Sequence, residues 1–101
     1  MPLPATDFSV EKIAFSAFYM TRLEWVLRMQ GVSKLYFAGI VTNGGVASTV
    51  RDAQVHDFDC TVLEDGCAAF SPDLHRAAIE GLRPVARIAT ISEVFRELAA
   101  S

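Results

Sequence analysis

Hydrophobic and polar positions along the chain alternate between two periods, which predicts strands and helices in turn. Residues 8–15 follow the two-residue period of a strand, with Lys12 on the same side of the pleat as two apolar residues. Residues 35–41 form a nearly continuous apolar run, which is typical of a parallel strand buried on both faces. The two remaining predicted strands are shorter and cover residues 60–63 and 87–90.

A segment with helical periodicity follows each predicted strand. Thr21 and Glu24 predict a capping box for the first helix, which Gly31 closes. The third helix begins at Ser71, a capping hydroxyl followed by proline, and the fourth is predicted to be capped by Ser92. The residues expected to face the core from the last three helices are Val46, Val50, Ala53, Leu74, Ala78, Leu82, Val94, Phe95 and Leu98.

Four strand–helix pairs in succession predict one α/β domain over residues 1–101, with a mostly parallel sheet and flanking helices. The chain is 51% hydrophobic and 21% charged, which excludes an intrinsically disordered protein. Its net charge is −3 and its nine basic residues form no stripe, so nucleic acid is not an expected partner. No apolar run is long enough to span a membrane, and the N-terminus lacks the features of a signal peptide.

The cysteines and histidines do not predict a metal centre. Cys60 and Cys67 form no C-x-x-C pair, and His56 and His75 share no ligand spacing with them. We interpret both histidines as solvated helix residues and Cys67 as a core thiol. The cytoplasm is the expected compartment, and neither a metal nor another cofactor is predicted.

Ligands of open α/β sheets bind beyond the carboxyl ends of the strands, and three segments have that position: residues 16–18, 42–45 and 65–70. Gly44 and Gly45 stand where a strand turns into a helix, so N–H groups there would face an anion or a developing oxyanion. A tight turn without a ligand would use the same two glycines. Lys12 either points into such a site or lies on an edge strand, and Asp65 either orients a ligand or makes a plain turn.

Taken together, these residues resemble the isochorismatase-like (cysteine hydrolase) superfamily. The resemblance rests on motifs in their order along the chain. These are K-x-x-x-S-A-F at residues 12–18 followed by Thr21 and Leu23, G-I-V-T-N-G-G-V at 39–46 continued by Ser48-Thr49 and R-D-A at 51–53, and E-D-G-C-A-A-F at 64–70 with His75. The match covers roughly the C-terminal half of a typical member. It implies a doubly wound, Rossmann-type three-layer fold that is truncated here at the N-terminus.

The resemblance also implies roles for individual residues. Lys12 matches the family lysine, and the bond between Ile40 and Val41 matches the family's non-proline cis peptide. The N–H groups of Val41 and Gly45 match its oxyanion hole. The substrate-binding turn includes Thr42, Asn43 and Gly44.

Two departures from the family pattern bear on chemistry. Gly45 stands at the position of the nucleophilic cysteine, and the family aspartate is expected upstream of Met1. True isochorismatases carry glycine there and act by acid–base chemistry, but they usually have histidine where this chain has Asn43. The turn is therefore closer to that of amidase-type members.

Two hypotheses follow. The first is a hydrolase acting on a small carbonyl, amide or vinyl-ether substrate without a cysteine nucleophile. The alternative is a catalytically inactive family member that binds a small anion or serves as an oligomerisation module. In either case, an exposed apolar sheet edge predicts a homo-oligomer.

Overall fold

The helices and strands follow one another in the predicted order. The computed structural model of the chain describes residues 16–100. The predicted first strand and Lys12 lie outside the described residues. The elements are α1 (Leu23–Met29), β1 (Lys34–Ile40), a π turn (Thr42–Val46), α2 (Ala47–Val55), β2 (Asp59–Ala68), α3 (Pro72–Leu82), β3 (Arg87–Ala89) and α4 (Ile91–Ala100).

The three strands form one parallel sheet in the order β1-β2-β3. Helices α2, α3 and α4 all contact the central strand β2. This confirms the predicted α/β class with a parallel sheet and flanking helices. Parallel pairing directs the carboxyl ends of all three strands to one edge of the sheet, where a site is expected.

Strand β2 is longer than predicted because a bulge interrupts its pairing with β1. Phe37 pairs with Val62, but Gly39 pairs with Cys67, so the four residues 63–66 lie opposite one residue of β1. A Cβ atom on Gly66 would lie 3.1 Å from the Cβ atom of Ala38, and glycine permits this close approach. Residues 64–66 were predicted to end the strand as a turn. They form the bulge instead.

Strand β1 lies at the edge of the described sheet, and the prediction that it is buried on both faces is wrong for these residues. Within residues 16–100 it pairs with β2 alone. Consequently its side chains are half-buried or exposed, with 78% of Ile40 accessible. An apolar strand of this kind with one neighbour presents a surface for association. The homo-oligomer remains a prediction.

The core lies between the sheet and helices α2 and α3. Its buried members are Phe18, Val46, Ala47, Val50, Ala53, Phe58, Cys60, Val62, Ile79 and Leu82. The predicted buried face of α2 is confirmed. On α3 the face is rotated: Ile79 and Leu82 are buried, whereas Leu74 is 43% exposed and Ala78 is half-buried. Leu74 lies in the first turn of α3.

Helix capping differs from the prediction at two helices. Helix α1 begins at Leu23, whose N–H donates to the Thr21 hydroxyl over 3.2 Å, while Glu24 contacts His56 instead of closing a capping box. Helix α4 is capped two residues earlier than predicted, by a capping box at Thr90 rather than by Ser92. The Glu93 N–H donates to Thr90 Oγ1 over 3.2 Å, and the Thr90 N–H donates to the Glu93 carboxylate over 3.0 Å.

Helix α4 buries less of its apolar face than predicted. Val94 is buried, but Phe95 and Leu98 are 68% and 54% exposed. The helix packs on the end of β2 and beside the short strand β3, so only one of its three apolar residues reaches the core.

Two leucines on α3 provide a test of the observed core. Leu82→Ala should lower the free energy of unfolding by about 2–5 kcal/mol because it leaves a cavity at a fully buried position. The matched variant Leu74→Ala should cost less than about 0.5 kcal/mol, since Leu74 is largely exposed. Urea denaturation of both variants measures the difference, and equal losses would contradict the observed orientation of α3.

Candidate active site

The π turn connects the carboxyl end of β1 directly to α2. The carbonyl oxygen of Val41 accepts hydrogen bonds from the N–H groups of Gly44 (3.0 Å) and Val46 (3.2 Å). The peptide bond between Ile40 and Val41, just before the turn, is cis. Single turns of π-helix occur frequently at functional sites. The turn therefore places a short run of backbone dipoles at the edge of the sheet where ligands of α/β proteins bind.

Close packing within the turn accounts for one of its two glycines. A Cβ atom on Gly44 would lie 3.1 Å from Val41 Cγ2, which is tighter than nearly all real contacts of this kind. Glycine at position 44 is therefore explained by packing within the turn, whether or not a ligand binds. Asn43, which precedes it, is exposed. Among the described residues, its side chain has no hydrogen-bond partner that would hold it away from a ligand.

Thr49 on α2 joins the π turn to the first of the three predicted segments. Its hydroxyl donates to the carbonyl oxygen of Gly45 over 2.7 Å and accepts from the N–H of Ala17 over 2.9 Å. The carbonyl oxygen of Ala17 accepts in turn from the Thr21 hydroxyl. The structure thus brings residues 16–18 and 42–45 together, as the carboxyl-end rule predicts. The sequence pattern assigned no role to Thr49.

His75 on α3 supports the turn from another side. Its Nδ1 lies 2.8 Å from the Oγ1 of Thr42, a residue with no exposed surface. The interpretation of His75 as a solvated helix residue is therefore wrong: the side chain is half-buried and hydrogen-bonded. The sequence contained an indication of this contact. His75 lies one helical turn after the cap at Ser71, so its side chain is directed toward the N-terminus of the helix. His56, at the C-terminus of α2, is also half-buried; it pairs with Glu24, and its ring lies 5.6 Å from that of Phe18.

A cavity of about 210 Å³ adjoins the turn. Its lining residues are small or apolar apart from one hydroxyl: Ala17, Phe37, Ala38, Gly39, Ile40, Gly45, Val46 and Thr49. None of them titrates. The cavity can therefore enclose a small ligand with an apolar body and offer it hydrogen bonds from backbone groups, but these residues supply neither a base nor a nucleophile.

The third predicted segment, residues 65–70, pairs with the end of β1, but none of its residues is among the described residues that line the π turn cavity. A separate cavity of about 260 Å³ is lined by Cys67 and His75 together with residues 68–72. Asp65 caps α4, since its carboxylate accepts the Ile91 N–H over 2.9 Å. The plain turn predicted as one interpretation of Asp65 is wrong, because this residue lies in the bulge of β2 and caps a helix that begins 26 positions later.

Both cysteines are free thiols, and burial raises the pKa of each. For Cys67 the hydrogen bond from Gly39 opposes this effect, while the nearby charge of Asp65 raises the pKa further. Because only the thiolate is a strong nucleophile, both groups are poor nucleophiles at neutral pH.

Within residues 16–100, no cluster of three or more potential ligands is arranged to bind a metal ion. No helix in the same part of the chain is both long enough and apolar enough to cross a membrane.

The family model of the Isochorismatase domain matches residues 1–93. The chain therefore belongs to the isochorismatase family, as its resemblance implied.

Individual relatives support this assignment. The uncharacterized isochorismatase family protein YecD of Escherichia coli O157:H7 is 38% identical over 99 residues, covering 95% of this chain and 53% of the relative. A probable inactive nicotinamidase of Arabidopsis thaliana is 37% identical over 95 residues, covering 92% of this chain and 48% of the relative. The chain thus spans about half the length of the curated relatives it matches.

The crystal structure of the nicotinamidase PncA from Bacillus subtilis has the same fold. It superposes with a TM-score of 0.76 at 32% sequence identity, covering 79% of this chain and 45% of that chain. The likeness extends over most of the chain, so the parallel sheet and its helices are a family fold.

The contact between Thr42 and His75 provides a test of the site's support. Thr42→Val should lower the free energy of unfolding by about 1 kcal/mol because it leaves His75 Nδ1 without its partner. In a His75→Ala background the same substitution should cost less, and the coupling in a double-mutant cycle should be about 0.5–1.5 kcal/mol.

Thr61→Val is the matched control for this cycle, because Thr61 is another buried threonine and lies in the middle of β2. Its cost should be the same in both backgrounds. If the losses of unfolding free energy from Thr42→Val and His75→Ala were strictly additive, the hydrogen bond between these side chains would not stabilise the site.

Proposed function

We propose that the protein is a hydrolase of small amides, with the π turn stabilising the charge that develops on the carbonyl oxygen of the substrate. The observation that carries the proposal is the π turn itself: backbone groups at the start of a helix, beside a small apolar cavity, at the carboxyl end of a parallel strand. Donors fixed in that position stabilise an oxyanion without reorganising during the reaction.

The assignment of individual donors follows the family resemblance. The N–H groups of Val41 and Gly45 would bind the oxyanion, and Lys12 would support negative charge beside them. Thr42, Asn43 and Gly44 shape the turn around the substrate. Asn43 distinguishes the turn from that of true isochorismatases and favours an amide over a vinyl ether. The similarity to a nicotinamidase supports the same class.

Glycine at position 45 favours direct attack by water over a covalent intermediate. Water adds to the carbonyl carbon as a base takes its proton, and the C–N bond then breaks as the nitrogen is protonated. The leaving group is ammonia when the substrate is a primary amide. The residues that line the cavity offer no base. An aspartate, which the resemblance implies, would act as that base.

The shape of the cavity limits the substrate. Among residues 16–100, its wall is apolar except for Thr49, and its volume of about 210 Å³ suits a small acyl group. The apolar lining from these residues favours an acyl group with an apolar body.

Ammonia release from small primary amides, benzamide among them, tests the proposal. Lys12→Ala should lower kcat/KM by at least about 100-fold, since it removes a positioned charge. Cys60→Ala and Cys67→Ala should each retain activity, because neither thiol lines the cavity and both have raised pKa values.

Loss of activity in either cysteine variant that still folds would contradict water attack and indicate a cysteine nucleophile. Hydrolysis of a vinyl ether or an ester but of no amide would overturn the assigned substrate class. Saturable binding of amides or carboxylates without any turnover would instead support the inactive binding module.

A further inference from the structure

The two glycines of the π turn raise the question of what fixes its geometry. Glycine populates a wider range of backbone angles than other residues, so Gly44 and Gly45 do not hold the turn in one conformation by themselves. A site that stabilises a transition state requires donors fixed in advance. Contacts from outside the turn must therefore supply the missing rigidity.

Thr49 supplies a contact at the carboxyl side of Gly45. The peptide plane between Gly45 and Val46 is held at both ends: its carbonyl oxygen accepts from Thr49 Oγ1 (2.7 Å), and its N–H donates to the carbonyl of Val41 (3.2 Å). Rotation of this plane would break both hydrogen bonds. The orientation of the second glycine is thus coupled to the Thr49 hydroxyl.

The same hydroxyl also anchors the opposite wall of the cavity. Threonine hydroxyls in helices often donate to the carbonyl four residues earlier, so the bond to Gly45 alone would be unremarkable. The bond accepted from the Ala17 N–H spans 32 positions of the sequence and joins a segment outside the helix. Ala17 and Gly45 both line the cavity, and Thr49 is the single polar side chain that the described part of the chain contributes to its lining.

The two hydrogen bonds assign the hydroxyl one donor role and one acceptor role. A hydroxyl has one proton to donate, which goes to Gly45, and its lone pairs accept from Ala17. A chain of two hydrogen bonds through one oxygen is mutually polarising, so each bond strengthens the other. Loss of the oxygen removes both contacts together.

We infer that Thr49 is a positioning residue that ties the two walls of the cavity together and fixes the orientation of Gly45 for the reaction. Thr49 acts through the backbone and takes no part in bond making or breaking. The inference rests on the proposed amide hydrolysis for its kinetic consequence, but the coupling of Ala17 to the turn is measurable without any substrate.

Three variants separate this role from a general loss of stability. Thr49→Val removes the hydroxyl and keeps the shape of the side chain, with Thr49→Ala in its place if valine prevents folding. Thr49→Ser keeps the hydroxyl. Ser48→Ala removes a half-buried hydroxyl from the neighbouring position of the same helix and is the matched control.

Two readouts are measured on each variant: amide hydrolysis and hydrogen exchange of the Ala17 N–H by NMR. Thr49→Val should lower kcat by about tenfold to 100-fold with KM changed less than about threefold, because misplaced groups weaken the transition state more than substrate binding. It should also speed exchange at Ala17 by at least about fivefold, while the amide of Val50 in the middle of α2 stays protected. Thr49→Ser and Ser48→Ala should retain both properties.

Each result has a defined meaning. An active protein in which Thr49→Val retains kcat, or loses kcat without faster exchange at Ala17, overturns the inference and leaves the proposed function intact. Uniformly faster exchange throughout α2 shows a merely structural role and also overturns it. If the unmodified protein hydrolyses no amide, the proposed function fails, and unchanged exchange at Ala17 would overturn the coupling as well.

Discussion

Parallel pairing of β1 with β2 is the constraint on which the rest of the structure depends. It sets both strands in the same direction, so the segments that follow them emerge at one edge of the sheet. The bulge opposite Ala38 then shifts the register, and Cys67 and Ala68 pair with the last residues of β1. As a result, the beginning of α3 lies close enough to the π turn for His75 to reach Thr42.

The π turn shows how a polar backbone segment is accommodated at this edge. It leaves β1 after Ile40 and begins a helix at once, so its N–H and C=O groups need partners other than those of a regular strand. Val41 provides one within the turn, Thr49 provides a second from α2, and His75 binds the side chain of Thr42 from α3. Three elements thus hold one short segment, and this arrangement suits a site that must remain rigid during a reaction.

The fold was largely predictable because its determinants are local. Apolar runs, Ser71 followed by Pro72, and the glycines that end strands and helices define the order of elements, and the structure reproduces it. Errors arose where tertiary contacts override local pattern. The bulge in β2 depends on its partner strand, and the exposure of β1 depends on how many strands pair with it. The cap of α4 depends on which of two hydroxyl residues, Thr90 or Ser92, starts the helix.

The site was predictable only in part, for a related physical reason. Gly44 and Gly45 mark the turn in the sequence. The contact of Thr49 with Ala17 and that of His75 with Thr42 span 32 and 33 positions, and hydrophobic periodicity does not predict contacts of this range. Lys12 remains a prediction from the resemblance, since it lies outside the described residues.

The central claim is that the backbone of the π turn binds the carbonyl or carboxylate oxygen of a ligand. NMR titration with benzoate, the carboxylate product of benzamide hydrolysis, tests it most directly. If the claim holds, the backbone amide signals of Val41 and Gly45 shift saturably, with no change at Gly31, a glycine in the loop after α1. Saturable shifts confined to other parts of the chain, or no shift in the turn at any benzoate concentration, would contradict it.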